Sequence, residues 1–274
     1  MSKLKPIGIF DSGYGGLTVL KEIKNLLPNY DYLYLGDNAR APYGPRSFDT
    51  VYHYTKQCVQ WLFAQNCELI ILACNTASAK ALRTIQQKDL AGQFSHKRVL
   101  GVIRPTAEII GSFSHTNHIG ILGTDGTVRS GSYLLEIEKF FPGVSIWQQA
   151  CPLWVPLVEN NEFDNQGGEY FIKKEIESLL SQSDQIDTIL LGCTHYPLLI
   201  DTIKKFLPKD VNIISQGNIV AKSLQDYLYH HPEMDKKCSK HASLRFCTTD
   251  SIDDFNKHAR AFYGEKINAE FIIL

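Results

Sequence analysis

Short apolar runs rich in β-branched residues recur along the chain and alternate with stretches whose apolar positions follow a helical period. The runs end in polar or glycine-containing turns, which is typical of buried strands in parallel sheets. They predict strands at Ile7–Phe10, Tyr32–Leu35, Leu69–Ala73, Val99–Ile103, Ile119–Leu122, Ile186–Leu191, Val211–Ile214, Leu244–Cys247 and Phe271–Ile273. The helical periods predict helices at Phe48–Ala64, Val128–Phe140, Glu169–Leu180 and Leu198–Leu207. The alternation predicts an α/β protein with mostly parallel sheets covered by helices.

Two of the apolar runs end in a small residue that is followed directly by a cysteine. Cys74 precedes an asparagine and a threonine, and Cys193 precedes a threonine and a histidine. Each cysteine is expected at the carboxyl end of a strand and the start of a helix, where ligands of open α/β sheets bind. Helix-opening N–H groups there can hold an anion and favour a thiolate. Two cysteines in matching settings, although far apart in the chain, predict a function in which the two thiols play symmetric parts.

A faint internal repeat supports that symmetry. Residues Ile7–Gly13 resemble Ile119–Gly126, since each segment is a strand that runs into a turn of Gly, Ser, Thr or Asp. Two related halves that face each other would bring both cysteines and both turns to one cleft. Because α/β proteins also repeat strand–turn patterns by chance, these short matches leave duplication open.

Two polar turns that follow the first two predicted strands are candidate ligand loops. The glycines of Asp11–Gly16 do not have the spacing of a dinucleotide-binding loop, and no Gly-Lys-Ser/Thr marks a Walker loop. Asp11 or Ser12 can cap a helix, and an acid at this place can also tune a nearby thiol. Gly36–Pro45 offers aromatic and backbone donors, either as a ligand clasp or as a plain surface turn.

Composition narrows the class of protein. The chain has 274 residues, of which 44% are hydrophobic and 21% charged, and its net charge of −1 argues against nucleic acid or an anionic membrane as a partner. We find no signal-peptide core and no apolar run long enough to span a membrane.

Seven cysteines without Cys-x-x-Cys spacing predict a reducing, cytoplasmic location. The histidines and the cysteine of segment 230–241 fit a solvated loop better than a zinc site, so no metal is expected.

Four motifs together resemble those of the bacterial glutamate racemases, the cofactor-independent branch of the aspartate/glutamate racemases. The motifs are Phe10–Leu20, Gly36–Gly44, Ala73–Ala79 and Leu191–Leu198, and Gly123–Ser130 and Cys151–Glu159 add further agreement. The sequence departs from the family pattern at Ser215–Gly217, where Asp-Ser-Gly is usual, and at Thr106, where glycine is common. Neither departure involves a cysteine, and both bear on the rim of the pocket, domain packing and oligomer form.

The resemblance implies two α/β domains related by a pseudo-twofold axis, with the active site in the cleft between them. The first domain would comprise residues 1–98 plus 211–274 and carry Asp11, Tyr43 and Cys74. The second would comprise residues 99–210 and carry Glu159, Cys193 and His195. The family pattern also implies a cytoplasmic homodimer that needs no cofactor, acts on L- or D-glutamate and supplies D-glutamate for peptidoglycan.

The same resemblance implies roles for individual residues. Cys74 and Cys193 would be the catalytic pair, with Asp11, His195 and Glu159 as further catalytic residues. The substrate-binding residues would be Asp11, Ser12, Tyr43, Gly44, Asn75, Thr76, Thr124, Thr127, Thr194 and His195.

Racemisation explains why two cysteines are needed. One group must remove the α-proton from one face of the amino acid, and a second must return a proton to the opposite face. By the resemblance, Cys74 deprotonates D-glutamate and Cys193 deprotonates L-glutamate. A free cysteine has a pKa of about 8.5, so the site must favour the thiolate. We expect Asp11 beside Cys74 and His195 beside Cys193 to tune the thiols and relay protons.

Other functions remain open on the sequence. Aspartate or hydantoin racemases share the chemistry and differ in the side chain they accept. A cysteine hydrolase would use Cys193 with His195, form an acyl intermediate and leave Cys74 dispensable. A redox protein would use Cys74 and Cys193 as a dithiol. A non-catalytic role in restraining a DNA topoisomerase occurs in the family and has no readable feature here.

Overall fold

The computed structural model describes residues 4–92 and 94–274, which form two parallel β-sheets flanked by helices. The strands are β1 (Ile7–Asp11), β2 (Tyr32–Gly36), β3 (Leu69–Leu72), β4 (Arg98–Gly101), β5 (His118–Gly123), β6 (Ser145–Ala150), β7 (Thr188–Gly192), β8 (Asn212–Ile214), β9 (Leu244–Thr248) and β10 (Ala269–Phe271). The helices are α1 (Leu17–Leu26), α2 (Phe48–Ala64), α3 (Asn75–Lys80), α4 (Leu82–Thr84), α5 (Ile103–Ala107), α6 (Asp125–Ser130), α7 (Ser132–Phe140), α8 (Trp154–Glu159), α9 (Gln166–Leu180), α10 (Ile200–Lys204), α11 (Gly217–His230), α12 (Pro232–Asp235) and α13 (Ile252–Tyr263).

The strand order of the four-stranded sheet recurs within the six-stranded sheet. The six-stranded sheet has the order β10-β9-β2-β1-β3-β4, and the four-stranded sheet has the order β6-β5-β7-β8. Neighbouring strands in both sheets pair in parallel. The predicted α/β class with mostly parallel sheets is therefore confirmed. The segment β2-β1-β3-β4 corresponds strand by strand to β6-β5-β7-β8, which is the arrangement that internal duplication predicts.

This strand order positions the two cysteines. From β1 the chain moves to β2 on one side and later to β3 on the other side, and β5 has the same relation to β6 and β7. Such a reversal opens a crevice at the carboxyl ends of the two central strands, where α/β proteins bind ligands. Cys74 lies just beyond β3 and Cys193 follows β7 directly, so each crevice carries one cysteine.

The buried strands account for the sequence pattern. The side chains of β1, β2, β3 and β7 are buried along their whole length, because helices cover both faces of each sheet. Helix α1 directs Leu17, Leu20 and Ile23 into the core and packs against α11. Helix α11 follows β8, the last strand of the four-stranded sheet, so the chain returns from that sheet to pack against a helix of the six-stranded sheet.

One strand and several element ends differ from the sequence prediction. Strand β6 was missed because its residues Ile146, Trp147, Gln148 and Gln149 are all half-buried at a sheet edge and form no apolar run. The last strand lies two residues earlier than predicted. The predicted strand Val99–Ile103 stops at Gly101 because α5 begins at Ile103. The predicted helix Leu198–Leu207 is a 3-10 turn followed by the short α10.

Sheet membership also differs from the predicted domain boundaries. Strand β4 pairs with β3 in the six-stranded sheet, and β8 pairs with β7 in the four-stranded sheet. The boundaries predicted at residues 99 and 210 thus separate each of these strands from the strand with which it pairs. Sequence patterns identify a strand but not its hydrogen-bonded neighbour, which explains the shift. We propose that the chain leaves the first domain after Gly101 and returns to it after Ile214.

The predicted helix Val128–Phe140 is interrupted at Gly131, and this interruption is testable. Gly131 has a φ of 63°, in the left-handed region, and no atom lies within 4 Å of where a Cβ would be. Gly131→Ala should therefore lower the free energy of unfolding by about 1 kcal/mol through backbone strain alone. Urea denaturation measures this loss. Gly131→Asn is the control, because asparagine enters the left-handed region more readily; an equal loss in both variants would contradict the explanation.

Candidate active site

Cys74 is a buried thiol at the first turn of α3. Its Sγ accepts a hydrogen bond from the Ala77 backbone N–H at 3.4 Å and lies 3.4 Å from Ser12 Oγ. Burial, and next the negative charge of Asp11, raise the pKa of Cys74 to about 12, although the hydrogen bonds from Ser12 and Ala77 oppose the shift. Cys74 is therefore held as a neutral thiol near neutral pH.

Cys193 has a different set of partners. The Nδ1 atom of His195 lies 3.9 Å from Cys193 Sγ, and His195 Nε2 lies 3.0 Å from Glu159 Oε1 at the end of α8. Burial lowers the pKa of His195, but the contacts with Cys193 and Glu159 outweigh it and raise the pKa to about 10. His195 is therefore an imidazolium at neutral pH, and its positive charge lies beside the Cys193 sulfur.

Asp11 links the two cysteine segments. It ends β1 and is 1% exposed, and it accepts hydrogen bonds from the Gly13 N–H at 3.0 Å and from Thr194 Oγ1 at 3.4 Å. Burial raises the pKa of Asp11, and the positive charge of His195 partly opposes that rise. One carboxyl group thus acts on Cys74 through its charge and on the Cys193 segment through a hydrogen bond.

Gly15 allows the two halves to come this close. A Cβ at this position would lie 2.3 Å from Thr194 Oγ1 and 2.4 Å from His195 Nδ1. Thr18 strengthens the same contact, because its Oγ1 lies 3.1 Å from the Thr194 carbonyl oxygen. The glycine turn Asp11–Gly16 is therefore in direct contact with the histidine segment of the other sheet.

A group of hydroxyls forms a second contact between the halves. Thr76 Oγ1 lies 2.9 Å from Thr124 Oγ1, which in turn lies 3.0 Å from Thr127 Oγ1. Thr124 also caps α6 by accepting the Thr127 N–H at 3.2 Å. Gly44 packs against the Thr124 side chain. Four of the predicted substrate-binding residues are thus neighbours.

Two predicted substrate-binding side chains are engaged elsewhere. The Tyr43 hydroxyl donates to Asp37, which also accepts a hydrogen bond from Arg40, so the hydroxyl hydrogen of Tyr43 is already engaged. Asn75 is hydrogen-bonded to Tyr133 and Gln216.

The predicted site residues therefore fall into three sets. The structure brings together Asp11, Ser12, Cys74, Glu159, Cys193, Thr194 and His195 around the thiols. It groups Gly44, Thr76, Thr124 and Thr127 beside them, since Thr76 is close behind Cys74 in the chain. Tyr43 and Asn75 direct their side chains to other partners. Tyr133 and Gln216 were missed, although the departure from the family pattern at Ser215–Gly217 was a signal for Gln216.

Within residues 4–92 and 94–274, no three His, Cys, Asp or Glu side chains are grouped to hold a metal ion. The helices of the same ranges are all too short or too polar to cross a membrane. The seven cysteines are free thiols.

The fold and the site define an α/β protein in which two thiols, each with its own acid–base partners, follow equivalent strands of two parallel sheets and lie near each other. A family model described as Asp/Glu/Hydantoin racemase matches residues 7–224. The chain belongs to the Asp/Glu/hydantoin racemase family.

Individual relatives agree over almost the whole chain. A curated glutamate racemase of Streptococcus gordonii is 38% identical, and the match covers 98% of this chain and 99% of that protein. The crystal structure of a glutamate racemase isoform from Bacillus anthracis has a TM-score of 0.89 at 35% identity, over 99% of this chain and 98% of that one. The glutamate racemase of Francisella tularensis, solved in complex with D-glutamate, has a TM-score of 0.85 at 31% identity, with the same coverage.

The charge on His195 predicts a pH-dependent contribution to stability. Because its pKa is raised from 6.5 to about 10 in the folded state, the contacts of His195 with Cys193 and Glu159 stabilise the fold fully below pH 6.5 and progressively less as the pH rises through 10. Glu159→Gln should therefore lower the free energy of unfolding by about 1–3 kcal/mol at pH 6, and by much less at pH 10. Urea denaturation at both pH values and an NMR titration of His195 measure the effect.

Glu108→Gln is the matched control, because Glu108 forms an exposed ion pair with Arg104. This variant should change stability by less than about 1 kcal/mol at either pH. A loss in Glu159→Gln that does not depend on pH would contradict the assignment of the charge to His195.

Proposed function

We propose that this protein is a glutamate racemase that interconverts L- and D-glutamate by proton transfer through Cys74 and Cys193. The observation that carries the proposal is the matched placement of the two thiols at equivalent crevices of two sheets, bridged by Asp11 and Thr194. The names of the relatives support glutamate as the substrate, and the similar Francisella structure was solved with D-glutamate.

The surroundings of the two thiols support different starting states. Cys74 is a neutral thiol, with its pKa raised to about 12, and can act as the acid. The His195 cation lies 3.9 Å from Cys193 Sγ, and we assign the role of the base, as a thiolate, to Cys193. Because racemisation requires one thiolate and one thiol at the start, this state suits L-glutamate.

In the proposed reaction the Cys193 thiolate takes the α-proton of L-glutamate, and the electron pair of the C–H bond moves into the α-carboxylate as an enolate. The Cys74 thiol then donates its proton to the opposite face of the α-carbon, so that D-glutamate forms with Cys74 as thiolate and Cys193 as thiol. D-glutamate is converted by the same steps in reverse. Return of the proton from Cys193 to Cys74 restores the first state, and His195 and Asp11 are placed to carry it.

The proposed binding groups suit an anionic amino acid. The hydroxyls of Thr76, Thr124 and Thr127 can donate to a carboxylate, and the backbone N–H groups that follow each cysteine can stabilise the enolate. The Asp11 carboxylate can receive the ammonium group. Burial of these groups strengthens each interaction because little water competes for them.

The biological setting extends the proposal. D-glutamate for peptidoglycan is the expected product, and the seven free thiols suit a reducing cytoplasm. That the protein forms a homodimer stays a prediction. Light scattering of the purified protein measures its oligomeric state.

The two-base proposal predicts the behaviour of the cysteine variants. The parent protein should racemise L-glutamate in D₂O without an added cofactor and incorporate deuterium at the α-carbon. Cys74→Ala and Cys193→Ala should each lower racemisation by about 10²–10⁴-fold, because a positioned acid or base is lost. Any residual α-proton exchange should favour D-glutamate in Cys193→Ala and L-glutamate in Cys74→Ala. Polarimetry and proton NMR follow inversion and exchange separately.

Cys247→Ala is the matched control, since Cys247 is equally buried but lies in β9, away from both crevices. It should keep the parental rate. Full racemisation in both directions by either Cys74→Ala or Cys193→Ala would exclude the two-base mechanism. Turnover of L-aspartate or a hydantoin in place of glutamate would retain the mechanism and reassign the substrate.

A cysteine hydrolase is the second candidate, because Cys193, His195 and Glu159 are connected in a row as nucleophile, base and orienting acid. This function requires an acyl-enzyme at Cys193 and does not require Cys74. Mass spectrometry of the protein after incubation with activated esters tests it. An adduct at Cys193 with turnover that survives Cys74→Ala, together with an absence of racemisation, would favour the hydrolase.

A further inference from the structure

Three buried side chains next to Cys74 form a closed ring of hydrogen bonds. Asn75 Nδ2 donates to Gln216 Oε1 at 2.7 Å, Gln216 Nε2 donates to the Tyr133 hydroxyl at 2.7 Å, and that hydroxyl donates to Asn75 Oδ1 at 2.6 Å. Each of the three residues is at most 4% exposed. Every member of the ring both donates and accepts, so the polar groups are satisfied and mutually oriented.

The backbone determines the direction of this ring. Gln216 Nε2 lies 3.2 Å from the Val102 carbonyl oxygen, which can only accept. It also lies 2.8 Å from Thr106 Oγ1, whose own hydrogen is donated to the same Val102 oxygen at 2.9 Å. The Gln216 amide must therefore place its oxygen toward Asn75. Asn75 must then present its nitrogen to Gln216 and its oxygen to Tyr133.

The ring lies where the chain passes between the two sheets. Thr106 is in α5, on the outward passage after β4, and Gln216 lies on the return passage between β8 and α11. Tyr133 belongs to α7 of the second half, whereas Asn75 begins α3 of the first half, directly after Cys74. The two residues that depart from the family pattern, Thr106 and Gln216, are thus in contact with each other and connected to the residue next to Cys74.

We propose that Gln216 is a positioning residue for Cys74: the ring of Asn75, Gln216 and Tyr133 couples the first turn of α3 to both passages between the sheets. Movement of one half against the other shifts Gln216 or Tyr133 and so reorients Asn75. The Cys74 thiol, which is held by the Ala77 N–H of the same turn, follows that movement. Among the residues that the structure describes, no equivalent ring of hydrogen bonds lies beside Cys193. Its neighbour His195 is instead oriented by Glu159.

The test uses Gln216→Met, which keeps the volume of the side chain and removes its hydrogen bonds. This inference rests on the proposed racemase function, so deuterium at the α-carbon provides the readout. We expect kcat/KM to fall about 10- to 100-fold, and by the same factor in both directions because enantiomers have equal free energy. The kinetic isotope effect should rise with α-deuterated D-glutamate, whose proton Cys74 removes, and fall with α-deuterated L-glutamate.

Two further variants separate positioning from a general loss of structure. Tyr133→Phe removes one hydroxyl of the ring and should shift the isotope effects in the same sense, with less than additive losses when combined with Gln216→Met. Gln149→Met is the matched control, because Gln149 bonds Glu175 and Ser178 on α9, away from both thiols, and it should leave both isotope effects unchanged. Unchanged isotope effects in folded Gln216→Met and Tyr133→Phe would overturn the proposal.

A second measurement does not depend on the racemase function. The pH dependence of alkylation by iodoacetamide is measured by peptide mass spectrometry. It should change at Cys74 in Gln216→Met and Tyr133→Phe, but not at Cys193. If the parent protein fails to racemise glutamate, the proposed function fails, and the alkylation result still decides the role of Gln216. Equal change at both cysteines, or no change at Cys74, would refute it.

Discussion

The contact between Asp11 and the segment Thr194–His195 is the interaction on which the rest of the site depends. A buried carboxylate is unfavourable unless hydrogen bonds and a nearby positive charge compensate it. The carboxylate belongs to the six-stranded sheet, and both the Thr194 hydroxyl and the His195 charge come from the four-stranded sheet. His195 is in turn buried and needs Glu159 as its partner. The compensation of the Asp11 carboxylate in the first half therefore depends on groups of the second half.

This dependence gives the two thiols unequal surroundings on equivalent scaffolds. The shared strand order places one cysteine at each crevice, and the loops then differentiate them. Asp11 and burial keep the proton on Cys74, whereas the His195 cation lies beside Cys193. A symmetric fold with asymmetric charges suits a reaction that moves one proton off a carbon and another onto it. The same loops bring the charge partners and the thiols together.

Much of the fold and of the thiol site could be predicted from local patterns. Apolar runs marked the buried strands because helices cover both faces of the sheets, and Asp11, Cys74, Cys193 and His195 were selected from their positions after such runs. Strand β6 was missed because a half-buried edge strand lacks that pattern. The sheet to which β4 and β8 each belong was not predicted, because the sequence of a strand does not show which strand it pairs with.

The sequence by itself determined which residues are candidates for the chemistry: paired cysteines after buried strands, an acid after the first strand, and a histidine two residues beyond the second cysteine. Only the tertiary structure decided how these residues act on one another. It paired Asp11 with Thr194, aligned Glu159 behind His195, and closed Asn75, Gln216 and Tyr133 into a ring. The physical reason is range: burial and periodicity are local properties of a segment, whereas charge compensation and hydrogen-bond direction depend on groups that meet only when the two sheets pack together.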